Sequence, residues 1–205
     1  MDRKAMKKMF LSNKMAVVCT VLILIIVIAS LMAPLSPYDP DASNVAEKMQ
    51  GISSTHILGT DDIGRDTFTR TLYGGRISLL VGFAAMCVAV IVGTLFGTIS
   101  GYMGGAVDAF VMRIVDVFMS VPSLLFIIVV YAFMPRNLVT LVGMLAFFSW
   151  SKVARVVRAQ TLTLKERDFV IAAKALGVSQ GTIIRKHIIP NLMPQIIVSA
   201  SLSIA

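Results

Sequence analysis

Charged residues and cysteines are scarce in this sequence, and the common motifs of nucleotide- and zinc-dependent enzymes are missing. Only 15% of the 205 residues are charged and 57% are hydrophobic, whereas soluble domains carry about 25% charged residues. Cys19 and Cys87 lie in apolar runs, so neither a disulfide framework nor a cysteine metal site is indicated. There is no G-x-x-x-x-G-K-[ST] phosphate loop and no H-E-x-x-H motif. These absences predict a membrane protein that is not an enzyme and binds no cofactor or metal itself.

The few charges are unevenly distributed along the chain. Residues 1–14 and 152–187 are basic, whereas residues 35–76 carry more acids than bases. This alternation between successive loops is typical of the positive-inside rule, and it differs from the continuous basic surface of a nucleic-acid-binding protein. It predicts a cytoplasmic N-terminus at residues 1–14, an extracytoplasmic loop at residues 35–76, and no nucleic acid partner.

Hydrophobic runs predict an all-α, polytopic helical bundle in a lipid bilayer. Residues 15–34 form the predicted first transmembrane helix, since residues 15–33 are free of charge and long enough to cross about 30 Å. A cleaved signal peptide is the alternative that the basic segment before it leaves open. Further spans are predicted at about 77–100, 107–133 and 138–157. Residues 190–205 are too few to cross the bilayer at about 1.5 Å per residue, so we expect a chain truncated in its fifth span.

Two predictions concern the interior of these spans. Pro122 should kink the third helix because it removes a backbone hydrogen bond, and Arg113 and Asp116 lie three residues apart, where they can pair on one face. In the second span, glycine recurs every fourth residue on one helix face, which predicts close approach to a neighbouring helix. These packing glycines are Gly93, Gly97 and Gly101.

The polar segment at residues 161–189 predicts a helix–glycine–helix element between two spans. Arg167 to Leu176 contains no helix breaker, and Gly177 suits the left-handed residue that ends a helix. Ser179 can cap a second short helix running to about His187. Pro190 then falls in the first turn of a new apolar helix. A rigid element of this kind at the membrane surface suits docking to another protein.

This segment resembles the cytoplasmic "EAA" loop of the permease subunits of bacterial ABC importers, whose pattern is Glu-Ala-Ala, three residues, Gly, nine residues and Ile-x-Leu-Pro. Four residues match that pattern and spacing: Ala172, Ala173, Gly177 and Pro190. Ile171 replaces the glutamate, and His187 replaces the first isoleucine, which resembles the peptide and nickel branch of the family. The resemblance implies coupling to a cytoplasmic ATPase through Asp168, Ile171, Ala172, Ala173, Gly177, His187 and Pro190.

The segment from His56 onward is similar to the same branch, whose pattern runs Leu-Gly-Thr-Asp, two residues, Gly-Arg-Asp, then Ser-Arg, Tyr-Gly and Arg-x-Ser. The matching residues are Leu58, Gly59, Thr60, Asp61, Gly64, Arg65, Asp66, Arg70, Tyr73, Gly74, Arg76 and Ser78. Arg65, Asp66 and Arg70 are expected to form a charge cluster that fixes this loop against the membrane face or a binding protein. The alternative is a turn followed by an interfacial helix with solvated charges.

The resemblance implies the type I ABC importer transmembrane domain over residues 77–205, in the bacterial inner membrane, with the N-terminus cytoplasmic. It implies four protein partners: a second permease subunit, two cytoplasmic ATPase subunits that hold ATP and Mg, and an extracytoplasmic substrate-binding protein. The expected substrates are di- or oligopeptides, nickel or a related metal complex. The alternative is a membrane scaffold without a transport role, or a truncated and non-functional permease.

Overall fold

The computed structural model describes residues 9–204, and in this part of the chain the regular elements are helices, with one isolated β-bridge between Thr60 and Asp66. The chain divides into two compact units, one up to Leu80 and one from Val81, and the boundary falls inside a long helix. In chain order the α-helices are α1 (Lys14–Leu31), α2 (Thr67–Met103), α3 (Gly105–Ser120), α4 (Ser123–Phe133), α5 (Leu138–Lys165), α6 (Asp168–Ala175), α7 (Gln180–Ile183) and α8 (Ile189–Ile204).

Several of these helices are long and apolar enough to cross a membrane. Within residues 9–204 there are four: α1, α2, α5 and the continuous helix Gln180–Ile204. The pair α3 and α4 adds a fifth if the two are counted together as one broken span. The all-α, polytopic fold that the sequence predicts is therefore confirmed.

The first unit consists of α1, an extended loop and the start of α2. The loop contains two short 3-10 turns, Ala33–Leu35 and Val45–Glu47. Helix α2 begins at Thr67, well before the predicted residue 77. Asp66 explains the early start, because its carboxylate accepts a hydrogen bond from the backbone N–H of Thr69 at 2.7 Å and so caps the helix.

Pro122 breaks the third predicted span instead of kinking it. Helix α3 ends at Ser120, and α4 leaves at 81° to it after Val121 and Pro122. Val121 is extended, with φ −91° and ψ 131°, because the proline ring disfavours the helical conformation of the residue before it. The prediction of one kinked helix over residues 107–133 was therefore wrong.

The second unit is centred on a hydrophobic cluster that joins four parts of the chain. Its buried members are Tyr102 of α2, Val153 and Val157 of α5, Val170 and Ala173 of α6, and Ile183, Ile188, Leu192 and Ile196 of the last helix. A second cluster packs Ala89 of α2 with Val115 of α3 and with Trp150 and Ala154 of α5. Helices α2 and α5 both contribute to the two clusters, so this pair of helices forms the centre of the unit.

The last helix differs from the prediction in its continuity. A second short helix ending near His187 and a new span beginning at Pro190 were expected. Instead α7 passes through a π-helical turn, Ile184–Ile188, directly into α8, which gives one helix over Gln180–Ile204. The fifth candidate span therefore begins near residue 180, and Pro190 lies inside it.

Candidate docking helix and loop motif

Helix α6 presents an apolar face that the described part of the chain leaves uncovered. Phe169 is 42% exposed, Ile171 is 53% exposed and Leu176, directly after the helix, is 83% exposed. Ala172, between them in sequence, is also exposed. Large apolar side chains grouped on one exposed helix are a common feature of protein interfaces.

The opposite face of α6 is anchored in the core of the second unit. Val170 is fully buried and Ala173 is only 7% exposed, and both belong to the larger hydrophobic cluster. The prediction that both alanines face a partner therefore needs correction. Ala172 lies on the exposed face, whereas Ala173 packs inward and fixes the position of the helix.

Gly177 ends α6 in a Schellman turn. Its φ is +75°, its N–H donates to the carbonyl of Lys174 at 3.0 Å, and the N–H of Val178 donates to the carbonyl of Ala173 at 3.1 Å. The left-handed conformation expected of this glycine is present. Ser179 occupies the N-cap position of α7, but its hydroxyl pairs with the hydroxyl of Thr182 at 2.9 Å instead of capping a backbone N–H.

The remaining residues predicted to couple to an ATPase lie around this element. Asp168 is exposed in the first turn of α6, where a negative charge is favourable near the helix N-terminus. His187 is half-buried in the π turn, with its ring centroid 6.4 Å from that of Phe169. Pro190 is exposed on the last helix. The ring contact between Phe169 and His187 thus brings α6 and the π turn together.

Tyr102 of α2 connects this helix to α6, a role that no sequence pattern indicates. Its side chain belongs to the larger cluster, and the ammonium nitrogen of Lys174 lies 5.1 Å from the centre of its ring. At this distance the cation interacts favourably with the π-electrons of the ring. Tyr102 follows Gly101 in the sequence, but no pattern pairs it with Lys174.

The three glycines of α2 pack directly against α5. A Cβ atom on Gly93 would lie 2.7 Å from the carbonyl oxygen of Trp150, and one on Gly97 would lie 2.5 Å from that of Ala154. A Cβ on Gly101 would lie 2.8 Å from the carbonyl oxygen of Arg158. The backbones of the two helices therefore approach more closely than any side chain allows, as the four-residue spacing predicts.

Ion pairs connect α3 to α5. Both carboxylate oxygens of Asp108 accept hydrogen bonds from Arg158 at 2.5 Å, and the Ser100 hydroxyl also donates to Asp108. Asp116 pairs with Arg155 at 2.5 Å, so the predicted pairing of Asp116 with a residue of its own helix was wrong. The geometry of α3 directs this carboxylate towards α5. Because about half of each side chain is exposed, the Asp116 pair contributes little to stability.

Asp61 organises the loop motif. Its carboxylate accepts hydrogen bonds from the backbone N–H of Arg65 at 2.9 Å, from the Arg65 Nε at 2.7 Å and from the Ile63 N–H at 3.1 Å. Burial raises the pKa of Asp61, but these hydrogen bonds outweigh it and lower that pKa to about 2. The Arg70 Nε lies 3.9 Å from the same carboxylate. Arg65 and Arg70 thus both face Asp61. The sequence led us to expect Asp66 as the acid of this charge cluster, and that expectation was wrong.

Two glycines of the motif permit the loop to close. Gly59 and Gly64 have φ values of +71° and +79°, which side chains disfavour. A Cβ atom on Gly59 would lie 2.4 Å from the carbonyl oxygen of Gln50, and one on Gly64 would lie 1.8 Å from that of Asn44. Thr60 between them accepts a hydrogen bond from the Gln50 N–H at 2.9 Å through its buried hydroxyl. The glycines are therefore required by close backbone contacts.

Asp66 connects the loop to α2, because it caps the helix and also contacts His56 of the loop. The sequence did not single out His56 as its partner. The Nδ1 of His56 lies 2.9 Å from one oxygen of Asp66, and both residues are about 95% buried. Burial raises the pKa of Asp66, but hydrogen bonds from Thr69 and His56 outweigh it and lower the pKa. Glu47 lies 3.7 Å from the His56 Nε2. His56, Asp66 and Glu47 do not form a metal site, and within residues 9–204 no group of three His, Cys, Asp or Glu side chains has the geometry to hold a metal ion.

Two stretches of the sequence match known protein families. Residues 93–205, more than half of the chain, match the family described as the binding-protein-dependent transport system inner membrane component. The chain belongs to this family. Residues 4–51 of this inner membrane component also match the N-terminal TM domain of oligopeptide transport permease C.

Curated relatives of this inner membrane component are named as peptide permeases. The oligopeptide transport system permease protein OppC of Bacillus subtilis is 39% identical over 196 residues, which are 95% of this chain and 64% of that protein. The dipeptide transport system permease protein DppC of the same organism is 37% identical over 193 residues, 94% of this chain and 60% of that protein. OppC of Haemophilus influenzae is 38% identical, covering 97% of this chain and 65% of that protein. The chain therefore spans less than two thirds of the length of these relatives.

The family match also identifies the environment of the fold. The matched region includes α3 to α8 and the glycine face of α2, and the N-terminal match includes α1. Together with its long apolar helices, membership of the family makes this inner membrane component a multi-pass membrane protein.

Proposed function

We propose that this chain is a permease subunit of an ATP-driven importer that takes up di- or oligopeptides. The family and the names of the curated relatives support this assignment, and they favour peptides over nickel. The chain has no phosphate loop of its own. ATP and Mg are therefore assigned to two cytoplasmic ATPase subunits, while a second permease completes the path and an extracytoplasmic binding protein delivers the peptide.

The observation that carries the coupling role is the exposed apolar face of α6 on a rigidly held helix. Phe169, Ile171 and Leu176 offer hydrocarbon surface to a partner, and their burial would stabilise docking without any ion pair. Val170 and Ala173 hold the other side of α6 in the core. A partner that moves α6 would thus move α2, α5 and α8 through the same cluster.

The proposed topology places the N-terminus and α6 in the cytoplasm and the loop motif outside. The basic segments at residues 1–14 and 152–187 support this orientation through the positive-inside rule. In this arrangement the closed loop around Asp61 lies on the face of the membrane where a binding protein would dock. Asp66 and His56 would hold that loop at the outer end of α2.

A matched pair of glycine substitutions tests the coupling role. Neither Gly177 nor Gly181 has a neighbour within 4 Å of an added Cβ, but only Gly177 has a positive φ. Gly177→Ala therefore costs about 1–2 kcal/mol of conformational energy in the present turn, which favours a different angle between α6 and α7. In proteoliposomes containing the complete importer, we expect Gly177→Ala to lower peptide-stimulated ATP hydrolysis and peptide uptake. Gly181→Ala should leave both unchanged.

A second variant addresses the docking face directly. Leu176 is 83% exposed, so Leu176→Ser removes apolar contact area without disturbing the core. We expect weaker binding of the ATPase subunits and less stimulated ATP hydrolysis, measured by co-purification and by phosphate release. Normal co-purification and stimulation in both Leu176→Ser and Gly177→Ala would refute the proposed coupling role of α6.

A further inference from the structure

The last helix contains a π turn next to two prolines. The turn, Ile184–Ile188, closes with a hydrogen bond from the N–H of Ile189 to the carbonyl of Ile184, five residues earlier. Pro190 and Pro194 follow it and lack the N–H groups that would extend the ordinary α-helical ladder. A proline ring also crowds the carbonyl four residues before it, and a wider turn relieves that contact. The backbone of this segment is therefore held by fewer hydrogen bonds than the rest of the helix.

The π turn aligns two sections of one buried face. Ile183 and Ile188 are five residues apart, whereas Ile188, Leu192 and Ile196 are separated by four residues each. All four are buried in the larger hydrophobic cluster. In a regular α-helix each residue turns the chain by about 100°, so the extra residue of the π turn is what brings Ile183 onto the face of the other three.

Asn191 makes a side-chain contact at this turn. Its amide nitrogen lies 2.6 Å from the backbone carbonyl oxygen of His187, four residues earlier. The acceptor is a carbonyl, so the amide group must donate and its orientation is fixed. Asn191 is exposed, and its side chain makes this bond at the section of helix where Pro190 interrupts the backbone ladder.

We propose that Asn191 is a positioning residue that holds the π turn and thereby sets the direction of α8 relative to α6 and α7. Because Ile183 packs with Val170 of α6 in one cluster, the turn determines how a displacement of α6 reaches α8. The consequence for transport rests on the proposed function, whereas the geometric role of Asn191 does not.

The geometric role is tested by a distance measurement in the complete importer. Cys19 and Cys87 are replaced by serine, and spin labels are attached at Gly181→Cys and Val198→Cys, both exposed positions on either side of the turn. Loss of one neutral hydrogen bond shifts the balance between two arrangements by about fivefold. We therefore expect Asn191→Ala and Asn191→Asp, neither of which can donate, to populate a second distance.

Two further variants separate this role from general destabilisation. Asn191→Ser restores a donor that reaches the carbonyl four residues back, so it should recover the original distance. The hydroxyl of Ser201 donates to the carbonyl of Ile197 at 3.0 Å in the same helix. Ser201→Ala removes a bond of the same kind away from the turn and should not change the distance. Unchanged distances in Asn191→Ala and Asn191→Asp would overturn the inference.

Coupling is then measured on the same variants as ATP hydrolysed per peptide transported. We expect this ratio to rise in Asn191→Ala and to recover in Asn191→Ser. If Leu176→Ser uncouples the importer while Asn191→Ala changes neither distance nor ratio, the docking role stands and the inference fails. A changed distance with an unchanged ratio also refutes the positioning role in transport. If Leu176→Ser and Gly177→Ala both leave coupling unchanged but the Asn191→Ala distance changes, the proposed coupling role of α6 fails and the geometric role of Asn191 is supported.

Discussion

Gly97→Ala tests whether the close contact between α2 and α5 stabilises the second unit. The added Cβ would lie 2.5 Å from the carbonyl oxygen of Ala154 and 2.9 Å from the Cβ of Val157. Ordinary carbon–oxygen contacts are about 3.3 Å or longer, so the helices must separate by nearly 1 Å. Neither neighbour is the end of a flexible side chain, and the strain therefore falls on the two backbones.

The magnitude follows from a comparison with Gly143→Ala in α5. An added Cβ at Gly143 meets nothing within 4 Å. Both substitutions stabilise a helix by about 0.5–1 kcal/mol because alanine loses less backbone entropy than glycine. This gain cancels in the comparison, which leaves the cost of forcing a methyl group into a packed interface, about 1–3 kcal/mol.

The difference can be measured by unfolding both variants in detergent. We expect the free energy of unfolding of Gly97→Ala to be about 1–3 kcal/mol lower than that of Gly143→Ala. Its melting temperature and its midpoint in a denaturing detergent titration should be lower as well. Equal stability of the two variants, or a more stable Gly97→Ala, would show that the glycine face does not hold these helices together.

Two further predictions concern the loop motif. Gly64→Ala should prevent loop closure, because the added Cβ would overlap the backbone carbonyl oxygen of Asn44 at 1.8 Å. Gly51→Ala is the control, since a Cβ added there has no neighbour within 4 Å. Limited proteolysis should therefore cut the loop faster in Gly64→Ala than in the wild type, and equally fast in Gly51→Ala. The pKa of Asp61 is about 2 in the fold and about 4 in an unfolded chain. Its carboxylate therefore stabilises the fold above pH 4, and this contribution is lost as pH falls towards 2. Asp61→Asn should flatten the pH dependence of the melting temperature in that window; an unchanged slope would contradict this.

The sequence predicts the features that depend on local composition and spacing. The apolar runs identify α1, α2 and α5 as candidate spans, and the four-residue repeat from Gly93 onward identifies the face that meets another helix. Gly177 ends α6 as expected, because a residue with positive φ at a helix end is a local requirement. The signal for each of these features lies within a short stretch of the sequence.

Other features depend on contacts that no local pattern encodes. His56 meets Asp66 only because the loop folds back through Gly59 and Gly64, and Lys174 meets Tyr102 only after α6 packs on α2. The π turn is an intermediate case. The five-residue step from Ile183 to the next buried isoleucine is visible in the sequence, but a proline nearby favours the reading that a new helix begins there.

The apolar character of the exposed α6 face has a consequence for how subunits find each other. Salt screens attraction between charges, but it does not screen contact between hydrocarbon side chains. Docking through Phe169, Ile171 and Leu176 would therefore persist as ionic strength in the cytoplasm changes. Discrimination among ATPases of related importers would then depend on the shape of their receiving grooves more than on the glutamate position, where isoleucine carries no charge.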